Sequence, residues 1–367
     1  ELIGKVYRHP LVHVSHAATI TSVAGHVGNF TTTLHSEGQR KTIRHGAAIL
    51  ATGAQEYRPT EYLYGRDNRV LTQLELEQHI AAGDALVRDA ARVVMIQCVG
   101  CREKVRNYCS RICCSEALKN ALTLKDNHPE TDVYILYRDM RSYSFQEDYY
   151  RKAADRDVRF VPWTPEERPT VQAAEDENGK AVVRVTVADP VLGQRLDLHA
   201  DLLVLSAAIV PSEGSREASR LFKVAVSPDG FFQEAHGKLR PVDFAVDGVF
   251  HCGLAHYPKH IAEAVSQAYG AAGRAGALLS RDTVTASGSV CDVNRDACVS
   301  CGACVSVCTY GAIELRETSS GPKALVNSVL CKGDGLCNAV CPTSAISLKH
   351  FTDEQLLSQI DAATAEL

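Results

Sequence analysis

The amino-acid sequence predicts an α/β core followed by a smaller α+β module, and three observations support this prediction. Apolar strand-like segments alternate with helix-like segments between residues 45 and 280, as in a sheet built from β–α–β units. Residues 281–290 are rich in Ser, Thr and Gly, which is typical of a linker. Two closely spaced cysteine runs follow between residues 298 and 341, and they indicate a separate metal-binding module.

Length and composition narrow the class of protein. A chain of 367 residues predicts two or three domains. The formal net charge of −5 argues against a nucleic-acid-binding protein. No apolar run approaches the roughly 18–20 residues that a membrane-spanning helix needs. The 14 cysteines are clustered, unlike those of a small secreted disulfide scaffold, so we expect a protein of a reducing cytoplasm.

Both cysteine runs have the spacing of a bacterial two-cluster ferredoxin. The first is C-x2-C-x2-C-x3-C, and the second repeats it with an aspartate in place of its second cysteine. Three close cysteines bind one cubane, and the fourth cysteine of each run binds the neighbouring cluster. The spacing therefore predicts two iron–sulfur sites. Their ligands are Cys298, Cys301, Cys304 and Cys341 at the first site, and Cys331, Asp334, Cys337 and Cys308 at the second.

Two alternatives concern the metal and its fourth ligand. Structural zinc sites usually separate two C-x2-C pairs by a long loop, whereas here four cysteines fall within eleven residues. A carboxylate is a harder ligand than a thiolate, so Asp334 predicts a labile iron and a [4Fe–4S] or [3Fe–4S] cluster. Alternatively, Asp334 is only a turn residue and the cluster has three irons. Cys291 precedes the first run and has no spacing relationship to this corner.

Two strand ends in the core predict a flavin site. A buried strand over residues 45–50 ends in Ala-Thr-Gly, and a second strand ends at Gly253 before a turn and an Ala-rich helix. Flavoproteins with two dinucleotide-binding domains, such as thioredoxin reductase, carry similar elements. There glycine permits close backbone approach, and the helix N-terminus stabilises negative charge on the ring. The predicted FAD-binding residues are Ala51, Thr52, Gly53, Gly253, Pro258, Lys259 and Ile261.

The usual G-x-G-x-x-G run of such a domain is missing from the sequence. We expect that the chain begins after this run; the alternative is a degenerate domain that binds no flavin. The fold prediction is therefore a thioredoxin-reductase-like core, incomplete at its N-terminus, plus a ferredoxin-like module. The expected domains are residues 1–86 with 206–280 for FAD, 87–205 for a nucleotide-binding-like domain, 290–350 for the ferredoxin module and 351–367 for a helical tail. The sequence Thr352-Asp-Glu-Gln355 predicts a capping box at the start of this tail.

The middle domain carries cysteines where a nucleotide-binding loop would lie. Strands at 91–96 and 133–137 flank a helix at 115–125, which is the pattern of a NAD-binding half. Five cysteines replace the glycine-rich loop, so we expect no NAD. A redox disulfide between Cys98 and Cys101 is one interpretation. The favoured interpretation is a third cluster, held by Cys109, Cys113 and Cys114 with either Cys98 or Cys101.

Taken together, these segments resemble the heterodisulfide reductase A family, whose members contain FAD and iron–sulfur clusters. The specific parts are Ile96–Gly100, Tyr108–Cys114, Leu71–Glu77, Phe351–Gln355 and the paired ferredoxin runs. The resemblance implies that Cys98, Cys109, Cys113 and Cys114 hold a [4Fe–4S] cluster near the flavin. It also implies a catalytic lysine beside the flavin ring, which corresponds to Lys119. Three departures are Cys101, where the family more often has serine, Asp334, and the missing flavin fingerprint.

The function implied by this resemblance is electron transfer between FAD and [4Fe–4S] clusters by one component of an oxidoreductase complex, which in some members bifurcates electrons. Its implied partners are B- and C-type subunits, a hydrogenase or dehydrogenase donor, and ferredoxin. Two alternatives are a component of a quinone-interacting membrane-bound oxidoreductase complex and a non-catalytic electron-wire protein. The cysteine-filled loop weakens a further alternative, a glutamate-synthase-like NAD(P)H oxidoreductase.

Overall fold

A computed structural model describes residues 1–285 and 288–365. A five-stranded parallel sheet lies at its centre, with the strand order β6 (Val70–Thr72), β13 (Leu202–Ala207), β7 (Arg92–Val99), β8 (Asp132–Tyr137) and β9 (Arg159–Pro162). Strands β7 and β13, two of its three inner strands, are almost wholly buried. They are continuous apolar runs because parallel sheets are covered on both faces.

The helices are α1 (Leu2–Arg8), α2 (Gln73–Ala82), α3 (Ala85–Arg88), α4 (Cys113–Asn127), α5 (Glu147–Asp155), α6 (Ser215–Phe222), α7 (Ile261–Leu279), α8 (Ala303–Val307), α9 (Leu336–Ala339) and α10 (Asp353–Thr364), with short 3₁₀ turns at Ser144–Gln146 and Gly253–Ala255. The other strands are β1 (Ala18–His26), β2 (Asn29–Ser36), β3 (Gln39–His45), β4 (Ala48–Leu50), β5 (Ala54–Glu56), β6 (Val70–Thr72), β8 (Asp132–Tyr137), β9 (Arg159–Pro162), β10 (Thr170–Glu175), β11 (Ala181–Asp189), β12 (Gln194–Ala200), β14 (Ile209–Pro211), β15 (Val249–His251), β16 (Cys291–Val293), β17 (Ile313–Thr318), β18 (Gly321–Val326) and β19 (Ile346–Leu348).

The two faces of the central sheet are covered by different kinds of structure. Helices α2 and α4 bury Leu76 and Leu118 against one face. The antiparallel strands β10, β11 and β12 cover the other, where Val183 and Val185 pack against Leu203. Apolar residues alternate along β11, as expected for a strand with one face on the core. We call this assembly, residues 67–207, the middle unit.

The start of the middle unit differs from the expected boundary at residue 87. Strand β6 pairs in parallel with β13, so residues 70–72 form an edge of the central sheet. Helix α2 follows directly, with a capping box between Thr72 and Glu75, and it buries Leu76 in the same core. We therefore propose a boundary near residue 67.

The first unit is formed by residues 1–66 and 208–280, two segments that come before and after the middle unit in the sequence. Strand β4 pairs in parallel with β15, which follows it by about two hundred residues. An antiparallel sheet of β1, β2 and β3 lies beside this pair. Phe30, Phe232 and Phe244 fill the core between them. Helix α7 then packs on β15 through a seam of buried alanines at Ala271 and Ala275.

The ferredoxin module, residues 290–350, is built as two similar halves. Helices α8 and α9 each start after a left-handed glycine, Gly302 and Gly335. Strand β16 pairs with β19, and β17 pairs with β18. Lys332 donates a hydrogen bond to Asp247 and so joins the module to the first unit. This arrangement confirms the expected α/β core followed by an α+β module.

The carboxyl-terminal segment begins with the predicted capping box, in which Thr352 and Gln355 cap helix α10. Leu356, Leu357 and Ile360 of this helix are exposed. Residues 286–287 of the predicted linker and 366–367 of the predicted tail lie outside the described residues. Within the described ranges, no helix combines the length and the apolar character that crossing a membrane requires.

Candidate electron-transfer site

The first predicted ferredoxin site is a cavity walled by thiols. Its lining includes Cys298, Cys301 and Cys304 of the first run and Cys341 of the second. The backbone N–H of Ala345 donates to Cys341 Sγ at 3.3 Å, a type of hydrogen bond that tunes iron–sulfur clusters. The structure therefore brings together the four cysteines that the spacing pairs across the two runs, and their thiol chemistry fits a cubane.

The second predicted site shows the same local geometry with one difference. The N–H of Ala312 donates to Cys308 Sγ at 3.3 Å, as Ala345 does to Cys341. Cys331 and Cys337 are buried, whereas Asp334 is exposed and its Oδ1 accepts the N–H of Leu336 at 3.3 Å. The thiols of this site fit a cluster better than its carboxylate does.

Cys291, which the spacing argument left out, lies at the second site. Its Sγ is 3.2 Å from Cys337 Sγ, and its N–H donates to Cys331 Sγ at 3.4 Å. Strand β16 carries Cys291 there by pairing with β19, a long-range contact that leaves no periodic signal in the sequence. All 14 cysteines are free thiols in the structure.

No three His, Cys, Asp or Glu side chains within residues 1–285 and 288–365 converge on the position of a single metal ion. The ligands of a cubane cap separate corners of a body that is much wider than one ion. At the first site the four thiols line a cavity, an arrangement that fits a cubane.

The five cysteines of the middle unit form one interacting group. Cys98 is the last residue but one of strand β7 and has φ of 65°, and Cys113 and Cys114 open helix α4. A hydrogen bond with Cys101, together with burial, raises the pKa of Cys98, and the same bond lowers the pKa of Cys101. Cys109 accepts the N–H of Arg111 at 3.3 Å. Charge interactions couple Cys113 to Cys98 and Cys101, so Cys101 lies among the predicted ligands.

The loop after β7 packs closely around these thiols. Gly100 has φ of 75°, and a Cβ there would lie 2.4 Å from the ring of Tyr57. Tyr57 also packs on Cys98 and Cys101 and stacks under the guanidinium of Arg106 at 4.1 Å. Glycine at position 100 therefore lets the aromatic ring lie directly against the backbone of the cysteine loop.

The predicted flavin residues come from two strand ends that the fold places side by side. Leu50 of β4 lies opposite His251 of β15, and Cys252 N–H donates to Leu50 O at 3.3 Å. Because the pair is parallel, Ala51–Gly53 and Gly253 leave the same edge. Gly53 and Gly253 both have φ of 70°, and no described atom lies within 4 Å of a Cβ built on either. These glycines leave the open backbone surface that a ring cofactor requires.

The N-terminus of helix α7 faces the same edge. His260 and Glu263 form a capping box before Ile261 starts the 19-residue helix. Lys259 is only 5% exposed, and its Nζ donates to Gly253 O and Tyr257 O, each at 2.6 Å. Burial lowers the pKa of Lys259 to about 8. A cationic side chain, a helix N-terminus and Pro258 therefore converge beside Gly253, an arrangement that favours an anionic ligand edge.

His251 lies directly beneath this edge. Its side chain is fully buried, and neither ring nitrogen has a hydrogen-bond partner within the described part of the chain. Burial, with the nearby His256 and Lys259, lowers the pKa of His251 to about 3, so the ring is neutral. A buried neutral imidazole without a partner is a polar group that a ligand at the strand ends would satisfy.

The cysteine loop of the middle unit contacts the helix end of the first unit. Arg111 donates to Pro258 O at 3.3 Å and to Glu263 Oε1 at 2.8 Å. The rings of Tyr108 and Tyr257 meet edge to face with centroids 5.6 Å apart. The loop that carries Cys109 therefore rests against the predicted flavin-binding residues.

Lys119 lies on helix α4 in a group of carboxylates. Its Nζ is 2.6 Å from Glu77 Oε2, and its side chain is 45% exposed. Nearby, burial and the charge of Glu56 raise the pKa of Glu116 to about 7. Glu56 ends β5, which follows the Ala51–Gly53 segment, so Lys119 belongs to the same region of the molecule. Its role beside a flavin stays a prediction, and sequence reasoning missed Glu116 altogether.

The chain resembles one known domain family over a short segment and known proteins over most of its length. Residues 297–345 match the 4Fe-4S dicluster domain family. The second A-type iron–sulfur protein of CoB–CoM heterodisulfide reductase from Methanopyrus kandleri is 42% identical over 334 residues, covering 87% of this chain and 50% of that protein. The A component of the H2:CoB-CoM heterodisulfide, ferredoxin reductase from Methanothermobacter thermautotrophicus is 39% identical over 346 residues, covering 90% of this chain and 51% of that protein.

The chain spans about half the length of these two curated relatives. Among solved structures, thioredoxin reductase from T. acidophilum overlaps with a TM-score of 0.44 at 14% identity, covering 73% of this chain and 74% of that one. An overlap of that size is too small to support a conclusion. The informative similarities are those to the dicluster family and to the two heterodisulfide reductase relatives.

Proposed function

Because this chain belongs to the heterodisulfide reductase A family, we propose that it transfers electrons between FAD and iron–sulfur clusters. The observation that carries the proposal is the contact of Arg111 with Pro258 and Glu263. It holds the cysteine loop of the middle unit against the strand ends that suit a flavin. Short distances between redox groups are what electron transfer requires, and the chain is therefore proposed as part of an oxidoreductase.

The first unit supplies the FAD site in this proposal. Gly53 and Gly253 let the backbone approach the ring, and the N-terminus of α7 with Lys259 stabilises negative charge on it. Ala51, Thr52, Pro258 and Ile261 complete the predicted contacts. Bound FAD supplies the exchange between two-electron and one-electron chemistry. The residues of the chain orient the ring, shield it from water and hold a cation beside it.

Three clusters follow from the cysteines. The middle unit holds one [4Fe–4S] cluster beside the flavin, and the ferredoxin module holds two. Cys98, Cys109, Cys113 and Cys114 are the proposed ligands of the middle cluster, with Lys119 as the proposed catalytic lysine. The role of the module is to carry single electrons away from the middle unit, because ferredoxin-type cubanes are one-electron carriers.

We infer the partners of this chain from the names of its relatives. The name of the relative from Methanothermobacter thermautotrophicus mentions both CoB-CoM heterodisulfide and ferredoxin. We propose a ferredoxin and the B- and C-type subunits of a heterodisulfide-reductase-like complex as partners of this chain, with a hydrogenase or dehydrogenase as donor. A reducing cytoplasm is the proposed location, because thiol-bound clusters need one.

The test is FAD titration of anaerobically prepared protein, followed by quenching of flavin fluorescence. Gly253→Ala places a methyl group where the ring would lie. Gly179→Ala is the matched control, because Gly179 also has a positive φ and open space but lies in the β10–β11 turn. We expect at least about tenfold weaker binding, or about 1.4 kcal/mol, in Gly253→Ala only.

Since the sequence lacks a G-x-G-x-x-G run, the wild-type affinity is expected to be weak, and the comparison between the two variants carries the test. Equal affinities for the two variants would place the flavin elsewhere. A cluster-loaded protein that binds no FAD would instead support the electron-wire alternative.

A further inference from the structure

Two residues are candidates for the fourth ligand of the second site of the ferredoxin module. The cysteine spacing assigns the position to Asp334, which takes the place of the second cysteine in the run. The structure leaves Asp334 exposed, and its Oδ1 accepts the N–H of Leu336 at the start of helix α9. This is a turn geometry that aspartate commonly adopts, and it uses the carboxylate oxygen locally.

Cys291 reaches the same site from the other side. It is 4% exposed, and it lies against Cys337 and Cys331, which are themselves buried. Its Sγ is 3.2 Å from Cys337 Sγ, and its N–H donates to Cys331 Sγ. A disulfide has an S–S length of about 2.05 Å, so Cys291 and Cys337 are neighbouring thiols and not a bonded pair.

Strand β16 fixes this position. Cys291 pairs with Leu348 of β19, and Val293 pairs with Ile346 at the other end of the strand. The two-stranded sheet closes over the core of the ferredoxin module, where Cys291 packs with Ala324 and Ile313. The match to the dicluster family starts at residue 297, so Cys291 lies outside the segment that the family describes.

We propose that Cys291, and not Asp334, is the fourth ligand of the second cluster, which is then an all-cysteine [4Fe–4S] cluster held by Cys291, Cys308, Cys331 and Cys337. The proposal rests on the cluster content proposed above. The Cys291 thiol releases its proton and binds iron as a thiolate, with no change in oxidation state. Since Cys291 and Cys337 bind different irons, their sulfur atoms move apart when the cluster forms.

Ligand chemistry favours this choice. Iron in sulfide clusters prefers soft thiolates to hard carboxylates. Asp334 keeps a separate place in the turn before helix α9, where it faces solvent and accepts the N–H of Leu336. An aspartate at this position of the run then no longer implies a labile iron.

Anaerobically prepared variants of the whole chain test the assignment by iron and acid-labile sulfide content and by electron paramagnetic resonance after mild oxidation with ferricyanide. We expect Cys291→Ser to lose about one iron per chain and to gain a three-iron signal. Asp334→Asn should match the wild type, which should lack that signal. Val290→Ala is the control for packing, because Val290 is buried beside Cys291 and carries no thiol.

The double variant Cys291→Ser/Asp334→Cys keeps the test decisive if Cys291→Ser folds poorly. A cysteine at 334 restores the full ferredoxin spacing, so the double variant should regain the iron and lose the three-iron signal. The middle cluster is the same in all variants, so differences between them report on the module.

The opposite pattern, with a three-iron signal in Asp334→Asn and none in Cys291→Ser, would overturn the proposal in favour of the carboxylate. A three-iron signal already present in the wild type and unchanged by either substitution would overturn it as well. A wild type without iron and sulfide would contradict the proposed function itself, whereas a loaded wild type with an unaffected Cys291→Ser variant would contradict only this inference.

Discussion

Arg111 Nη2 lies 2.8 Å from Glu263 Oε1, and this ion pair joins the cysteine loop of the middle unit to the first turn of α7. The same guanidinium donates to Pro258 O and to the hydroxyl of Tyr143. Arg111 is two residues from Cys109 and two from Cys113. Arg111 therefore links the proposed middle cluster to the proposed flavin site, beside the ring contact of Tyr108 with Tyr257.

Replacing Arg111 should loosen this junction. Arg111→Met removes hydrogen bonds from a charged donor, and we expect a loss of about 1–2 kcal/mol in the free energy of unfolding. Urea unfolding is followed by the fluorescence of Trp163, the only tryptophan of the sequence, in preparations with equal iron content. Arg151→Met is the control, because the Arg151–Asp148 pair is highly exposed and should contribute little.

A double-mutant cycle with Glu263→Gln isolates the ion pair itself. The side chains of Arg111 and Glu263 are 30% and 43% exposed, so their coupling should be about 0.2–1 kcal/mol. A coupling of zero would mean that Pro258 and Tyr143 alone hold the guanidinium.

Glu116 should make stability depend on pH. Burial, and then the charge of Glu56, raise its pKa from 4.5 to about 7 in the folded protein. The folded protein therefore keeps this proton to a higher pH than the unfolded chain does. As a result, the free energy of unfolding is highest below about pH 4.5 and falls as the pH rises through 7. At pH 8, Glu116→Gln should therefore be more stable than the wild type by about 1–3 kcal/mol, and at pH 4.5 the difference should vanish. Urea midpoints at the two pH values measure this.

Glu130→Gln, at an exposed turn before β8, is the matched control for Glu116→Gln and should show no such difference. A gain at pH 8 that persists at pH 4.5 would point to packing instead of ionisation.

Lys259 should make the free energy of unfolding rise with pH in the alkaline range, the opposite of the effect of Glu116. Its pKa is lowered from 10.5 to about 8 by burial, so the folded protein releases this proton before the unfolded chain does. The energetic cost of the buried charge is present below pH 8 and is relieved as the pH rises from 8 to 10.5, so the wild type gains stability over that range. Lys259→Met should abolish this gain relative to Lys349→Met, a change at an exposed lysine. Parallel urea midpoints of the two variants would argue against a buried cation at this site.

The ligands of the middle cluster can be separated by iron counting. Cys113→Ala should remove about four irons per chain and leave the signals of the ferredoxin module intact. Cys101→Ser should keep its iron, although Cys101 is buried among the other thiols. Cys252→Ser serves as a control for the loss of a buried thiol outside the cluster segments. If Cys101→Ser lost iron while Cys98→Ser kept it, the fourth ligand of the middle cluster would be Cys101 instead of Cys98.

Sequence spacing predicted the features that are encoded within short segments. The four cysteines around the first ferredoxin cavity follow from a repeat of eleven residues, and the capping box at Thr352 follows from four. The strands predicted at 91–96 and 133–137 correspond to β7 and β8, because each of these contains a continuous apolar run.

Features that depend on distant contacts were not predictable in this way. Cys291 reaches its site only through the pairing of β16 with β19, and Arg111 meets Glu263 across 152 positions of sequence. Strand β6 has three residues, too few for a periodic pattern, so its membership of the central sheet was missed. The raised pKa of Glu116 arises from burial, which no local pattern reports.

The crossed cysteines of the ferredoxin module also imply an order of events during synthesis of the chain. A nascent chain leaves the ribosome from its amino end, so residues late in the sequence become available last. Cys341 lines the cavity of Cys298, Cys301 and Cys304, and that cavity stays unfinished until translation has passed nearly the whole module. A partly synthesised module therefore presents three thiols without the fourth ligand, and the first cluster is fully ligated only after Cys341 has been synthesised.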